Sequence, residues 1–170
     1  MTERERQIMD LLRQYLKESL ADFEAENICT RFIGDRTPLA EDIRALMEEA
    51  ERSTANKTGM VLQIALNYGG QQEIVFAARK LAEKVAAGEM RVTDITEETL
   101  QNALFTADAP PVDLVLRPSG EYRLSNFLIW QSAYAEFVFM DDILWPDFKA
   151  ADLDAAFYEF ARRHRRFGGV

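Results

Sequence analysis

Met60-Val-Leu-Gln-Ile-Ala-Leu66 is apolar at every position but one and is bounded by Asn56-Lys-Thr-Gly59 and Asn67-Tyr-Gly-Gly70. Seven residues is the length of a strand, and turn formers on both sides keep it from growing. A strand apolar on both faces needs cover on both, which is the habit of parallel sheets wrapped by helices. This run argues against a one-faced antiparallel sheet and predicts a strand buried on both faces in an α/β fold.

The flanking sequence supplies the helices. Thr2-x-x-Glu5 has the form of a capping box, and Ile8, Leu11, Leu12, Tyr15, Leu16, Leu20 and Phe23 recur at helical spacing, predicting a helix over 3–25. Ile28–Ile33 has strand composition and stops at Gly34-Asp35. Thr37 as N-cap with Pro38 in the first turn predicts a helix bearing Leu39, Ile43, Leu46, Met47 and Ala50 on one face. Further helices are predicted around Ile74–Val85 with a closing Gly88, from Thr96 to about Phe105, from Ser125 as N-cap through Tyr134, and over 149–166. Val112–Leu116 and Glu136–Phe139 complete the strands. Strands alternating with helices imply right-handed βαβ units and an open, mostly parallel sheet flanked by helices. No repeat, low-complexity tract or linker interrupts the chain, so residues 1–170 are expected to form a single domain.

The 170 residues, 48% of them apolar, suffice for a core. With 29 acidic against 20 basic residues the net charge is −9, which argues against a general nucleic-acid binder. The lone Cys29 excludes an intrachain disulfide and a multi-cysteine metal site; inside a predicted strand it reads as core packing. The charged start gives no support for a secretory signal, and no apolar run reaches membrane-spanning length, so a cytoplasmic protein is expected. The last nine residues carry four Arg and no acidic group. Arg162-Arg163-His164-Arg165-Arg166 is either a solvated helix end complementing the dipole or an anion clamp.

Ligands of open α/β sheets bind at the carboxyl ends of strands, which singles out three loops. Arg117-Pro-Ser-Gly-Glu-Tyr-Arg-Leu-Ser125 is the richest, with two guanidinium groups six residues apart, a glycine and a serine at the expected helix start. Guanidinium forks match phosphate oxygens, and a hydroxyl adds a donor, so a diphosphate would be well served. A turn whose arginines pair with nearby carboxylates is the alternative. Gly69-Gly70 matches neither GxGxxG nor the P-loop pattern and reads as a structural turn. With one histidine and no triad spacing, Ser–His hydrolysis finds no support. Glu136 opens an apolar strand, an awkward place for a charge unless it pairs with an arginine or helps hold a cation.

Asp113-Leu-Val-Leu-Arg-Pro-Ser-Gly-Glu-Tyr-Arg-Leu-Ser-Asn-Phe-Leu-Ile-Trp-Gln131, Tyr134–Phe137 and Leu144-Trp-Pro-Asp-Phe148 together resemble the C-terminal signature of cis-prenyltransferases, notably bacterial undecaprenyl diphosphate synthases. Phe32–Asp35, Leu66–Gly70 with Glu73-Ile74, and Arg166-Phe-Gly-Gly169 match in the same order. The resemblance implies Z-type condensation of isopentenyl diphosphate with an allylic diphosphate, Mg²⁺ dependence, a homodimer and, because the product is a lipid, peripheral membrane contact. By position it assigns Arg117, Arg123 and Ser125 to isopentenyl diphosphate, Glu136 to Mg²⁺, and Arg166 with Gly168 to a tail reaching the partner subunit's diphosphate. The apolar faces of helix 3–25 and strand 60–66, with Met60 near the far end, correspond to tunnel walls for the growing chain.

Pro118 stands where the family commonly has Thr, and Gln71 where it commonly has Arg. The family's opening strands and its Asp-Gly-Asn-Gly-Arg-Trp loop, which cradles the allylic diphosphate, have no counterpart in these residues, so no catalytic residue is assigned. The chain alone is accordingly expected not to elongate prenyl diphosphates. A non-catalytic subunit serving a complete partner and a generic diphosphate-binding module are the other readings of the same residues.

Overall fold

A computed structural model describes residues 3–163. Thr2 of the expected capping box, the segment from His164 to the end of the chain, and the side chains of Glu5 and Leu20 lie outside the described residues. The chain divides between Tyr68 and Gly69 into two compact units, each built on a parallel strand pair with helices, as expected for the α/β class.

The first unit runs α1 (Glu3–Ala25), β1 (Cys29–Ile33), α2 (Glu41–Ser53) and β2 (Val61–Ala65). β1 and β2 pair in parallel, with Cys29 opposite Val61 and Ile33 opposite Ala65. Leu16 of α1, Phe32 of β1 and Leu39, Ile43, Met47 and Ala50 form the buried core, so the α2 stripe read from the sequence faces inward, whereas of the α1 stripe Leu16 and Phe23 are buried and Ile8, Leu11 and Tyr15 are about half exposed or more. The outer edge of β1 is closed by a side chain of α2 and by Thr54, the residue just after it. The Thr30 N–H donates to Thr54 Oγ1 at 3.0 Å and the Phe32 N–H to Glu51 Oε1 at 2.9 Å. Such groups are otherwise a template for unwanted strand pairing.

Two expectations change here. α2 starts at Glu41, not beside Thr37, because Thr37 donates both its N–H and its hydroxyl to Asp35 Oδ1. Its oxygen serves a local turn, not a helix N-terminus. β2 is only half-buried, and Val61 is 58% exposed, because within its unit it pairs with β1 alone. At the carboxyl ends of the strands, the Asp35 N–H donates to the Asn67 carbonyl at 3.2 Å and Asn67 Nδ2 to the Asp35 carbonyl at 2.9 Å. Gly34 makes that junction possible: its φ is +122°, and a Cβ there would sit 2.1 Å from the Leu66 carbonyl oxygen.

The second unit holds α3 (Gly70–Ala86), α4 (Glu97–Gln101), β3 (Leu114–Arg117), β4 (Glu136–Phe139) and α5 (Ala150–Ala161). α3 closes on Gly88 as predicted: with φ +75° there, the Gly88 N–H bonds Val85 O and the Glu89 N–H bonds Lys84 O, a Schellman ending. Thr96 caps α4 by accepting the Thr99 N–H at 3.2 Å, although the helix stops at Gln101 and continues only as turns. β3 and β4 run parallel, Leu114 opposite Glu136 and Arg117 opposite Phe139. Among the described residues the strands thus form two separate pairs, where the sequence suggested one open sheet.

The segment from Ser125 to Tyr134 is a run of turns, and the helix expected there does not form. Ser125, Asn126 and Leu128 have φ of 48°, 63° and 47°, a left-handed conformation that no right-handed helix can incorporate. Asn126 is committed elsewhere. Its carbonyl accepts the Gly70 N–H at 2.7 Å and its Oδ1 the Gln71 N–H at 2.9 Å, satisfying two orphan donors at the start of α3.

Candidate functional site

Arg117, at the carboxyl end of β3, organises the loop that follows it. Its Nη1 donates to Ser125 Oγ at 3.2 Å and to the Arg123 carbonyl, and its Nη2 donates to Glu121. Arg123 reaches the other oxygen of that carboxylate at 2.5 Å. The loop thus brings together the three residues assigned to the diphosphate, and the competing reading is met as well, since the arginines do pair with a carboxylate. That carboxylate belongs to the loop itself. Two guanidinium groups closing on one anionic group is the geometry a phosphate also demands.

The hydrogen bond from Arg117 holds the Glu121 carboxyl below its ordinary value of 4.5, with the charge of Arg123 adding to it and desolvation opposing. A depressed folded value means the pairing contributes fully above the ordinary value and is lost only as pH falls through the lower one. A carbon-detected NMR titration of Glu121 is therefore expected to show a midpoint below 4.5; a midpoint at or above it means that the two arginines do not hold the carboxylate in solution.

Beside these groups lies a cleft of about 540 Å³, lined by Arg117, Glu121 and Ser125 together with apolar Leu114, Leu116, Leu124 and Leu128. Its volume suits a small ligand with a polar head and a hydrocarbon tail. Ser125 contributes a hydroxyl but not a helix N-terminus, because the helix is absent. Among these groups it is the guanidinium groups that could hold an anion.

Glu136 takes a different place. It starts β4 opposite Leu114, three register steps from Arg117, roughly 10 Å along the strands. Arg163 Nη1 donates to its Oε2 at 3.1 Å and to the Phe137 carbonyl at 2.7 Å, while Arg163 Nε meets Glu159 at 3.3 Å. Ion pairing, one of the two roles foreseen for this carboxylate, is what the described residues display. No group of three or more His, Cys, Asp or Glu suited to a metal ion occurs among them. Mg²⁺ commonly takes only one or two carboxylates and draws its other ligands from phosphates and water, and Glu136 fits as one such ligand if Arg163 yields it. Arg166 and Gly168 lie outside the described residues.

Three contributors escaped the sequence reading. Glu121 lies between the two arginines, four residues after Arg117, a spacing that already hinted at pairing. Asn126 is a residue type that tolerates left-handed backbone, a cue that the serine before it did not begin a helix. Arg163 was seen only as part of a basic cluster. Gly69-Gly70 proves structural, as read: added Cβ atoms would meet Asn126 Nδ2 at 2.8 Å and Ile129 Cγ1 at 2.7 Å.

Residues 2–168 match the Prenyltransf family, that of undecaprenyl diphosphate synthase. The isoprenyl transferase of Zymomonas mobilis is 47% identical over 163 residues, covering 96% of this chain and 65% of the relative. The Haemophilus ducreyi enzyme named ditrans,polycis-undecaprenyl-diphosphate synthase, (2E,6E)-farnesyl-diphosphate specific, is 46% identical over 162 residues, covering 95% of this chain and 66% of that one. The chain thus spans just under two thirds of the length of these curated relatives. The crystal structure of lavandulyl diphosphate synthase from Lavandula x intermedia, in complex with dimethylallyl diphosphate, superposes with a TM-score of 0.92 at 35% identity, covering 99% of this chain and 73% of that one. A match along nearly the whole chain, in sequence and in fold, places it in the cis-prenyltransferase family of the undecaprenyl diphosphate synthases.

Proposed function

We propose that the loop from Arg117 to Ser125 binds isopentenyl diphosphate for Z-type prenyl transfer to an allylic diphosphate. The observation that carries this is the closure of both guanidinium groups on Glu121 beside an apolar-lined cleft. The diphosphate would displace the Glu121 carboxylate and take over its two partners, with Ser125 Oγ as a further donor. The leucines of the cleft suit a five-carbon tail and exclude water around it. Arg117 and Arg123 hold and orient the diphosphate. Mg²⁺ would be held by Glu136 and would neutralise diphosphate charge. In the first unit, Ile8, Leu11 and Tyr15 of α1 and Met60 beside β2 are about half exposed or more, apolar surface that fits walls for a hydrocarbon chain.

The same reading takes Arg166 and Gly168 as contributors to a partner subunit's diphosphate site in a homodimer. It places the protein in the cytoplasm with peripheral membrane contact through its lipid product. No helix among the described residues is long and apolar enough to cross a membrane. A polypeptide of these 170 residues carries no Asp-Gly-Asn-Gly-Arg-Trp sequence. We infer that such a polypeptide binds isopentenyl diphosphate without elongating an allylic primer.

Titration calorimetry with isopentenyl diphosphate, with and without Mg²⁺, tests the site, and incorporation of radiolabelled isopentenyl units onto farnesyl diphosphate tests the turnover. Saturable binding strengthened by Mg²⁺, with no incorporation, is the expected result. Absence of binding overturns the site; incorporation near that of a full-length relative overturns the inference on turnover.

A further inference from the structure

We infer that Asn126 is a positioning residue for the diphosphate loop, acting through the start of α3; the inference rests on the reading of Arg117, Arg123 and Ser125 given above. Ser125 and Phe127 line the cleft, and Asn126 between them does not. It turns instead to α3, where its carbonyl and Oδ1 take the N–H groups of Gly70 and Gln71. The left-handed run at Ser125, Asn126 and Leu128 is costly for residues other than glycine, and it persists only where the surroundings impose it. Asn126 is the one of the three whose backbone and side chain both bond a regular element. The neighbouring glycines confirm how close the approach is, since neither Gly69 nor Gly70 leaves room for a Cβ on that side.

The consequence reaches the ligand through Ser125. Its hydroxyl accepts from Arg117 Nη1 at 3.2 Å, and Arg117 in turn bonds the Arg123 carbonyl. If residues 125–126 leave the left-handed conformation, the serine hydroxyl turns out of reach and Arg117 loses a brace. Affinity then falls with the fraction of molecules whose loop is correctly set.

The experiment pairs binding with stability. Asn126→Ala removes the cap and the short polar side chain that lets asparagine tolerate a left-handed backbone while keeping the Cβ, and the dissociation constant for isopentenyl diphosphate is expected to rise about tenfold. Asn126→Gly keeps the backbone conformation and loses only the Oδ1 acceptor, with a rise of about threefold expected, and it stays informative if the alanine variant does not fold. Asn126→Asp, which retains an acceptor for the Gln71 N–H, should restore most of the affinity. Thr96→Ala removes the cap of α4 and serves as the control for simple destabilisation: it should lower the melting temperature without changing the dissociation constant. Wild-type affinity in Asn126→Gly and Asn126→Ala overturns the inference, and so does an equal loss in Thr96→Ala. Unchanged binding in Arg117→Ala, or none in the wild type, overturns the underlying diphosphate reading instead.

Discussion

Replacing Arg117 by alanine is expected to weaken isopentenyl diphosphate binding by about two orders of magnitude, because truncating one partner of a close charge pair costs roughly 2–5 kcal/mol. The lower half of that range applies. The Arg117 side chain is 24% exposed, so water and salt screen part of the interaction. Two losses combine. One is the contact with a phosphate oxygen that the proposed site would make, and the other is the brace that Arg117 gives Ser125, the Arg123 carbonyl and Glu121. Arg117→Lys separates them: a lysine keeps the charge but has no planar fork to serve these partners together, so a loss of about tenfold is expected. Calorimetry on both variants checks this, and an Arg117→Ala protein that binds within twofold of wild type removes the arginine from the site.

The largest expected effect on stability lies away from the ligand, at Glu73. This side chain is completely buried on α3; its Oε1 accepts the Phe105 N–H at 2.8 Å, and its Oε2 accepts from Gln131 Nε2 at 2.9 Å. Gln131 Nε2 also donates to Thr106 Oγ1 at 2.8 Å, so one carboxyl group ties α3 to two segments that flank β3. Glu73→Ala leaves these donors short of an acceptor and opens a void, and a loss of about 4 kcal/mol is expected in denaturant unfolding. Glu73→Gln keeps an acceptor for Phe105 but turns an amide towards Gln131. Gln131 Oε1, buried without a hydrogen-bond partner, can accept from it if the Gln131 amide rotates, and the loss is then about 1–2 kcal/mol. An alanine variant within 1 kcal/mol of wild type would show that the network contributes little.

The stripe of Ile43, Met47 and Ala50 announces a buried helix face because apolar periodicity and core burial have the same cause. The glycine end of α3 was equally legible. The start of α2 was not, because Thr37 has the chemistry of a cap and only the nearness of Asp35 in space decides that it serves a turn. The segment after Ser125 misled for the same reason: its side chains suit a helix, but hydrogen bonds to Gly70 and Gln71, more than fifty residues away in sequence, fix its backbone otherwise. Arg117, Arg123 and Ser125 stand out by type and spacing, and the fold brings the three together in one loop. Glu121 is not singled out by the sequence, because only the folded loop shows which carboxylate is the counter-charge that keeps the two arginines together. The pairing of Glu136 with Arg163 joins residues 27 apart, and spacing does not reveal it.

The left-handed positions between β3 and β4 also set how this loop can vary. Ser119, Ser125, Asn126 and Leu128 all have positive φ, and so does Gly120. A β-branched residue at any of them would meet its own backbone, whatever its side chain might gain outside. The alphabet open to these five sites is therefore short, essentially glycine, asparagine, aspartate and a few unbranched residues, while Tyr122 and Phe127 escape that backbone constraint and are limited by their contacts instead: Tyr122 donates to Asp141 and packs on Phe139, and Phe127 lines the cleft. In a mutational library the closed positions would trace the backbone path, and Ser125 would be closed on two counts, by its left-handed backbone and by the hydroxyl that Arg117 contacts.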